Sequence, residues 1–301
     1  MRILTFSRES YPAGDPAGYA LLHQSMALAD MGHDVHLYNL TRPPLRLTDY
    51  LDSYELDLVF LNVELLRSDW IRRTLQSYRR NEAVHMVGAL YSMPPPPPQA
   101  LDCLDFVFTP WKGSTVTALA ETIDIRYLPF GYNAILHKRT MEVPTLGPIF
   151  VGNTTAEKQA EAEEYLRDLR DRRIVLCIGP EFEQKHMDPF ALGRVYAAAR
   201  CLPNFHYSWT KGDDLILNER FWQTARCGVP VNDYHALMAE VLDKYLVENF
   251  CFADKRIWQE RIRSLNAGES GVDPEALSRL DAVLAGHSYH HRMMQLMDWI
   301  I

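Results

Sequence analysis

Three short stretches of the sequence bring cations and small residues to points where a helix begins. Arg220 stands near the predicted start of the helix Leu217 to Cys227, where unpaired backbone N–H groups and the helix dipole favour an anion such as phosphate. Its plainer alternative is a surface ion pair with Glu219 or Asp214, and Asn218 is positioned to cap the same helix. Lys211, in the loop Thr210–Asp214, is either a second phosphate ligand or a solvated lysine. Gly152, Asn153 and Thr154 form a small-residue turn between a strand and a helix, and Lys158 follows in the first turn of that helix. Both features suit contact with a phosphate, or a plain turn and a surface charge. Tyr207 and Trp209 can offer flat rings for stacking or fill a core. Asp15 and Glu64 fall at the ends of predicted strands in the first half of the chain, where a general base would be exposed to a ligand.

Other groups of reactive side chains point to little chemistry. His287, His290 and His291 cluster on a terminal helix without a second ligand set, which reads as packing or solvated roles and no metal site. His23 lies inside a helix and reads as packed or surface-borne. The five cysteines, 103, 177, 201, 227 and 251, contain no Cys-x-x-Cys pair and suit buried reduced thiols. The net charge of −8 provides no basic face on average, although Arg72, Arg73, Arg79 and Arg80 form a local basic cluster.

These residues need a scaffold, and the hydrophobic pattern specifies one. With 301 residues, 47% hydrophobic and 23% charged, the chain has the profile of a soluble globular protein of two domains. Strands are predicted at Arg2–Ser7, Asp34–Leu40, Leu56–Val63, Ala83–Tyr91, Phe106–Thr109 and Arg126–Leu128. Between them lie helices around Gly18–Gly32, Ser68–Asn81 and Ser114–Glu121. Alternation of this kind implies parallel βαβ units in a doubly wound sheet, with ligands outside the carboxyl ends of the strands. Pro94–Pro98 reads as a stiff loop at a sheet edge or a ligand for a partner. Periodicity is lost between Asn133 and Gly147. A second unit then runs through a strand at Ile149–Val151, a helix at Ala156–Leu169, a strand at Ile174–Ile178, a helix at Ala191–Cys201, an extended segment at Phe205–Ser208 and a strand at Val229–Asn232. A helix over Ser288–Ile301 closes the chain. The N-terminus lacks a signal-peptide pattern and no run approaches a membrane span, so a cytoplasmic location is expected.

Four segments, in order, resemble the GT-B glycosyltransferases: GDPAGYALLHQSMALADMGHDVHLY, FVGNTTAEKQAEAEEYL, VYAAARCLPNFHYSWTKGDDLILNERFWQTARCGVPVNDY and HSYHHRMMQLMDWI. The chain looks most similar to the spore-maturation (CgeB-type) glycosyltransferase-like proteins. The resemblance implies two Rossmann-like doubly wound α/β domains facing a cleft. Residues 1–143 would be the acceptor side and residues 144–285 the nucleotide-sugar side, with the terminal helix 286–301 packing back on the first domain. It implies a metal-independent hexosyl- or pentosyltransferase that uses a nucleotide-diphosphate sugar, a UDP-sugar by preference, as donor substrate and needs no cofactor. Donor contacts would come from Gly152, Asn153, Thr154, Lys158, Trp209, Lys211, Asn218, Arg220 and Gln223, and the catalytic carboxylate from Asp15 or Glu64. The acceptor is unidentified: a small molecule, glycan, protein or modified DNA.

Departures from the family pattern are specific. The glutamate of the Phe-Glu motif is replaced by Gln223, and the position eight residues before it is Leu215. An amide still bonds ribose hydroxyls, though less strongly than a carboxylate. The opening loop lacks paired glycines, and Tyr19-Ala20 stands where an early histidine is common. The alternatives are a non-catalytic nucleotide-sugar or glycan binding protein, a nucleotide-sugar epimerase, and a glycosyltransferase acting on modified DNA bases.

Overall fold

The computed structural model describes residues 1–7, 16–41, 43, 45–81, 84–140, 143–152, 156–178 and 189–301. The chain divides into two compact units. Of the described residues, 1–7, 16–129 and 289–301 form unit 1 and 130–288 form unit 2.

In unit 1 the strands β1 (Arg2–Ser7), β2 (Asp34–Asn39), β3 (Leu58–Asn62), β4 (His85–Ala89), β5 (Phe106–Thr109) and β6 (Ile125–Tyr127) form one sheet. Their order is β2-β1-β3-β4-β5-β6, and every pairing is parallel. Leu58, Val59, Phe60 and Leu61 are fully buried, as the continuous apolar run of a strand covered on both faces requires. The connections include α1 (Pro16–Asp30), α2 (Leu47–Asp52), α3 (Asp69–Asn81) and α4 (Ser114–Ala120). Helix α1 stops at Gly32, whose φ of +88° is costly for any residue with a Cβ. There the Gly32 N–H donates to Ala29 and the His33 N–H to Leu28.

Unit 2 repeats the scheme with shorter strands. Strand β7 (Ile149–Val151) leads to α5 (Ala156–Asp171) and pairs in parallel with β8 (Leu176–Ile178). After α6 (Pro189–Ala198), strand β9 (Leu202–Asn204) precedes α7 (Glu219–Cys227), and β9 pairs in parallel with β10 (Pro230–Asp233). Following α8 (Lys244–Phe250), β11 (Cys251–Phe252) extends that sheet beyond β10. The Ile149 N–H donates to the Cys201 carbonyl at 3.2 Å, joining the two strand sets. Helices α9 (Lys255–Ala267) and α10 (Pro274–Leu284) begin on the side-chain caps of Asp254 and Asp273.

The last helix, α11 (Tyr289–Ile300), belongs to unit 1 and packs on α1. Buried His23 stacks on Tyr289 with ring centroids 5.8 Å apart. His290 reaches Asp30 at 2.7 Å, and in unit 2 His287 stacks on Trp222. All five cysteines are free and buried. Among the described residues, no helix is long and apolar enough to cross a membrane.

One predicted strand is displaced. The extended segment expected at Phe205–Ser208 is preceded by the true strand, Leu202–Asn204. The His206 amide leaves the ladder because it donates to the Asp233 carboxylate at 2.9 Å.

Candidate functional site

At the carboxyl edge of the unit 2 sheet, helix α7 begins where the sequence places its cap. Asn218 Oδ1 accepts the Phe221 N–H at 2.8 Å, and its amide nitrogen donates to Asn204 Oδ1 at 3.2 Å and to the Phe205 carbonyl at 3.1 Å. Asn204, fully buried, in turn donates to Asn232 Oδ1 at 3.0 Å. This amide ladder fills the end of the sheet with satisfied polar groups, which burial demands.

Arg220 rests on that ladder. Its guanidinium lies over the Phe150 ring, 4.5 Å from the centroid, and Nη1 donates to Asn204 Oδ1 at 3.5 Å. It is only partly buried, and no ion pair to a carboxylate is found for it among the described residues. Gly152 adjoins the same guanidinium: a Cβ there would collide with Arg220 Nη2 and approach Phe150 to 2.8 Å. The structure therefore brings Gly152, Asn218 and Arg220 together. Gln223, one turn further along α7, is buried to 6% exposure and makes no hydrogen bond among the described residues.

Lys211 occupies a different arrangement. Its Nζ donates to Asp233 Oδ2 at 2.5 Å, so it is not a solvated loop lysine. Asp233 is 3% exposed and also accepts from the His206 amide and from His206 Nδ1, each at 2.9 Å. Burial alone would raise the Asp233 pKa. The hydrogen bonds from His206 and the Lys211 charge override it and hold the carboxyl below the usual range. Burial, reinforced by the nearby Lys211 and Arg220 charges, drives His206 below the ordinary histidine range despite its bond to Asp233. With Nδ1 on the Asp233 carboxylate, Nε2 is left buried without a hydrogen-bond partner among the described residues.

The loop between β9 and α7 holds Trp209 in a short 3-10 turn, Ser208–Thr210. Trp209 is 48% exposed, whereas Tyr207 is packed edge-on against Phe205 in the core. Glu161 of α5 accepts from the Ser208 amide at 2.8 Å and from its hydroxyl. His235 donates from Nε2 to the Thr210 carbonyl at 2.8 Å and accepts the Leu237 N–H on Nδ1. Burial, then the neighbouring His206, lowers the His235 pKa to about 4.

In unit 1 Glu64 lies in a 3-10 turn directly after β3. Its Oε2 accepts from Arg67 Nε at 2.6 Å, and Arg67 Nη2 donates to the Pro94 carbonyl at 2.6 Å. Arg67 thus pins the polyproline loop to the sheet edge. Glu64 Oε1 is buried and has no hydrogen-bond partner among the described residues. Asp15, Asn153 and Thr154 lie outside the described residues, as does the side chain of Lys158 in the first turn of α5. No group of three His, Cys, Asp or Glu residues among those described is placed to hold a metal ion.

Asn204, Phe150, Asp233, His206 and His235 escaped the reading of the sequence. The available signal was a polar residue ending an otherwise apolar strand, as in Leu-Pro-Asn and Pro-Val-Asn-Asp. Phe150 gave none.

The fold and this edge define a class. The chain has the fold of GT-B glycosyltransferases. It is similar over its whole length to an alpha-glucosyltransferase in complex with UDP and a 13-mer DNA containing an HMU base. That likeness has 12% identity and a TM-score of 0.71, and covers 100% of this chain and 99% of that one. An alpha-glucosyltransferase in complex with UDP-glucose and DNA containing an abasic site gives 10% identity, the same coverage and a TM-score of 0.63. The pneumococcal O-GlcNAc transferase GtfA, in complex with UDP and GlcNAc, gives 9% identity and a TM-score of 0.51 over 84% of this chain and 59% of that one. Residues 154–298 match the family described as "Glycosyl transferase-like". No curated protein matches the sequence.

Proposed function

We propose that this protein is a nucleotide-sugar-dependent glycosyltransferase, with a UDP-sugar as donor, bound by unit 2, and the acceptor bound by unit 1. The observation that carries the reading is Arg220, a partly buried cation held by a ring, an amide oxygen and a glycine, with no described carboxylate to neutralise it. An uncompensated guanidinium at a helix start suits a diphosphate, which it binds through two parallel N–H donors. The match of residues 154–298 to a glycosyltransferase-like family supports the same assignment. Among relatives, the order of motifs favours the spore-maturation subgroup.

Transfer requires the acceptor oxygen to attack the anomeric carbon as the bond to the diphosphate breaks. The acceptor proton passes to a base, and the leaving diphosphate gains negative charge. In this proposal Arg220 and the amides near Gly152 stabilise that charge without a metal ion, and Gln223 and Trp209 contact the nucleoside. Glu64 Oε1 or Asp15 takes the proton. Lys158, Asn153 and Thr154 complete the diphosphate contacts, and the enzyme acts in the cytoplasm.

Titration of the protein with UDP-glucose, other nucleotide sugars and the free diphosphates tests the donor. A ligand at a hundredfold excess over its Kd should stabilise the fold by about 2.7 kcal/mol, read as a rise in Tm. Turnover that persists in EDTA supports the metal-free route, and no rise with any nucleotide sugar overturns the reading. Similarity to the DNA-bound glucosyltransferases favours modified DNA as one acceptor to try. On α3, however, Arg72 pairs with Asp69 and Arg79 with Asp105, which neutralises half of the basic cluster. DNA binding through this cluster should therefore be weak, with a shallow salt dependence set by the few phosphates it can neutralise.

A further inference from the structure

The loop Tyr207–Lys211 is braced three times from three elements. Glu161 on α5 holds Ser208, His235 after β10 holds Thr210, and Asp233 at the end of β10 holds Lys211. Two of these braces already close a turn this short. The third is made at a much higher cost, because it needs a carboxylate buried to 3% exposure at a strand end. That carboxylate is oriented independently by two donors of His206 at 2.9 Å, one from the backbone and one from the ring. Oδ1 is thereby occupied, and Oδ2 receives Lys211 Nζ, while the Tyr165 hydroxyl also faces the carboxylate. An ammonium has three N–H donors, and among the described residues only this contact engages one of them, on a side chain that is 31% exposed. Arg220 reaches Asn204 at the end of β9, and Lys211 reaches Asp233 at the end of the adjacent strand β10.

We infer that Asp233, oriented by His206, is a positioning residue that holds the Lys211 ammonium as a second cation for the donor diphosphate beside Arg220. The inference rests on the donor reading given above. A lysine is a flexible point charge, and ordering it on binding costs side-chain entropy. Fixing it beforehand removes that cost from the binding step.

Asp233→Asn keeps the shape and the acceptor for His206, and turns an amide donor toward the ammonium, releasing Lys211. Calorimetric Kd values for UDP-glucose should be compared across the native protein, Asp233→Asn, Lys211→Met and the double variant, each checked for a cooperative melt. Each single variant should bind about tenfold more weakly, and Lys211→Met should cost less than twofold once Asp233 is Asn. A merely structural brace would lower Tm without that coupling. Native-like affinity of Asp233→Asn, or losses that multiply in the double variant, overturns the inference while leaving the donor reading intact. Failure of the native protein to bind any nucleotide sugar takes down both. Should Asp233→Asn not fold, Lys211→Gln leaves Asp233 and His206 in place, and an unchanged Kd for that variant is equally decisive against it.

Discussion

The carboxyl edges of the two sheets spend their charges differently. In unit 1, Glu64 and Arg67 satisfy one another three residues apart, and Arg67 continues to the Pro94 carbonyl, so the pair acts as a loop clasp. In unit 2, Lys211 is matched to a buried carboxylate, but Arg220 is held by neutral groups and keeps its charge. A pair closed between neighbours fixes backbone, whereas a preorganised cation with N–H donors to spare is what an anionic ligand can use. The contrast agrees with the proposal that unit 2 binds the donor and that Glu64 Oε1, without a hydrogen-bond partner among the described residues, serves as the base.

The largest expected effect concerns the buried histidine of unit 1. His23 is 1% exposed and burial lowers its pKa from 6.5 to about 4. The folded value lies below the unfolded one, so the unfolded chain takes up the proton first as pH falls. Stability is fully present above about pH 6.5 and is lost toward pH 4, by on the order of 3 kcal/mol for this group. Chemical denaturation at pH 7 and pH 4 should show His23→Leu losing correspondingly less than the native protein. An identical loss in both would remove His23 as a source of the acid sensitivity.

Glu64→Gln keeps the shape but removes the base. Turnover should fall about a hundredfold or more while the Kd for UDP-glucose stays within twofold. Unchanged kcat would reduce Glu64 to its clasp role and leave Asp15 as the remaining candidate. Arg220→Ala should weaken UDP-glucose binding by about ten- to a hundredfold, from loss of charge-assisted hydrogen bonds of roughly 1.5–3 kcal/mol. If Arg220→Ala and Glu64→Gln affect donor affinity equally, the contrast between the two edges collapses. Gly152→Ala should cost about tenfold in affinity, because its Cβ meets the Arg220 guanidinium and the Phe150 ring. Native affinity in that variant would show that Arg220 does not need its present place.

Much of this architecture was legible in the residues. Arg2–Ser7, Phe106–Thr109 and Ile149–Val151 were bounded by the apolar runs alone, because a strand covered on both faces declares itself over a few residues. The Asn218 cap was equally local, as a cap involves only the next three residues. Reading failed where a distant side chain intervened, as when Asp233 took the His206 amide and ended the strand early.

The candidate site divides along the same line. The sequence by itself determined the parallel α/β units, the helix starts and the cations near them, since periodicity, capping and glycine freedom act within one or two turns of chain. Only the tertiary structure decided which of those cations is paired with a carboxylate. Lys211 and Arg220 look alike as cations of one loop-and-helix segment, yet one meets a buried carboxylate from β10 and the other a phenyl ring from β7. Coulomb energy depends on distance in space and on burial, and neither follows from separation along the chain.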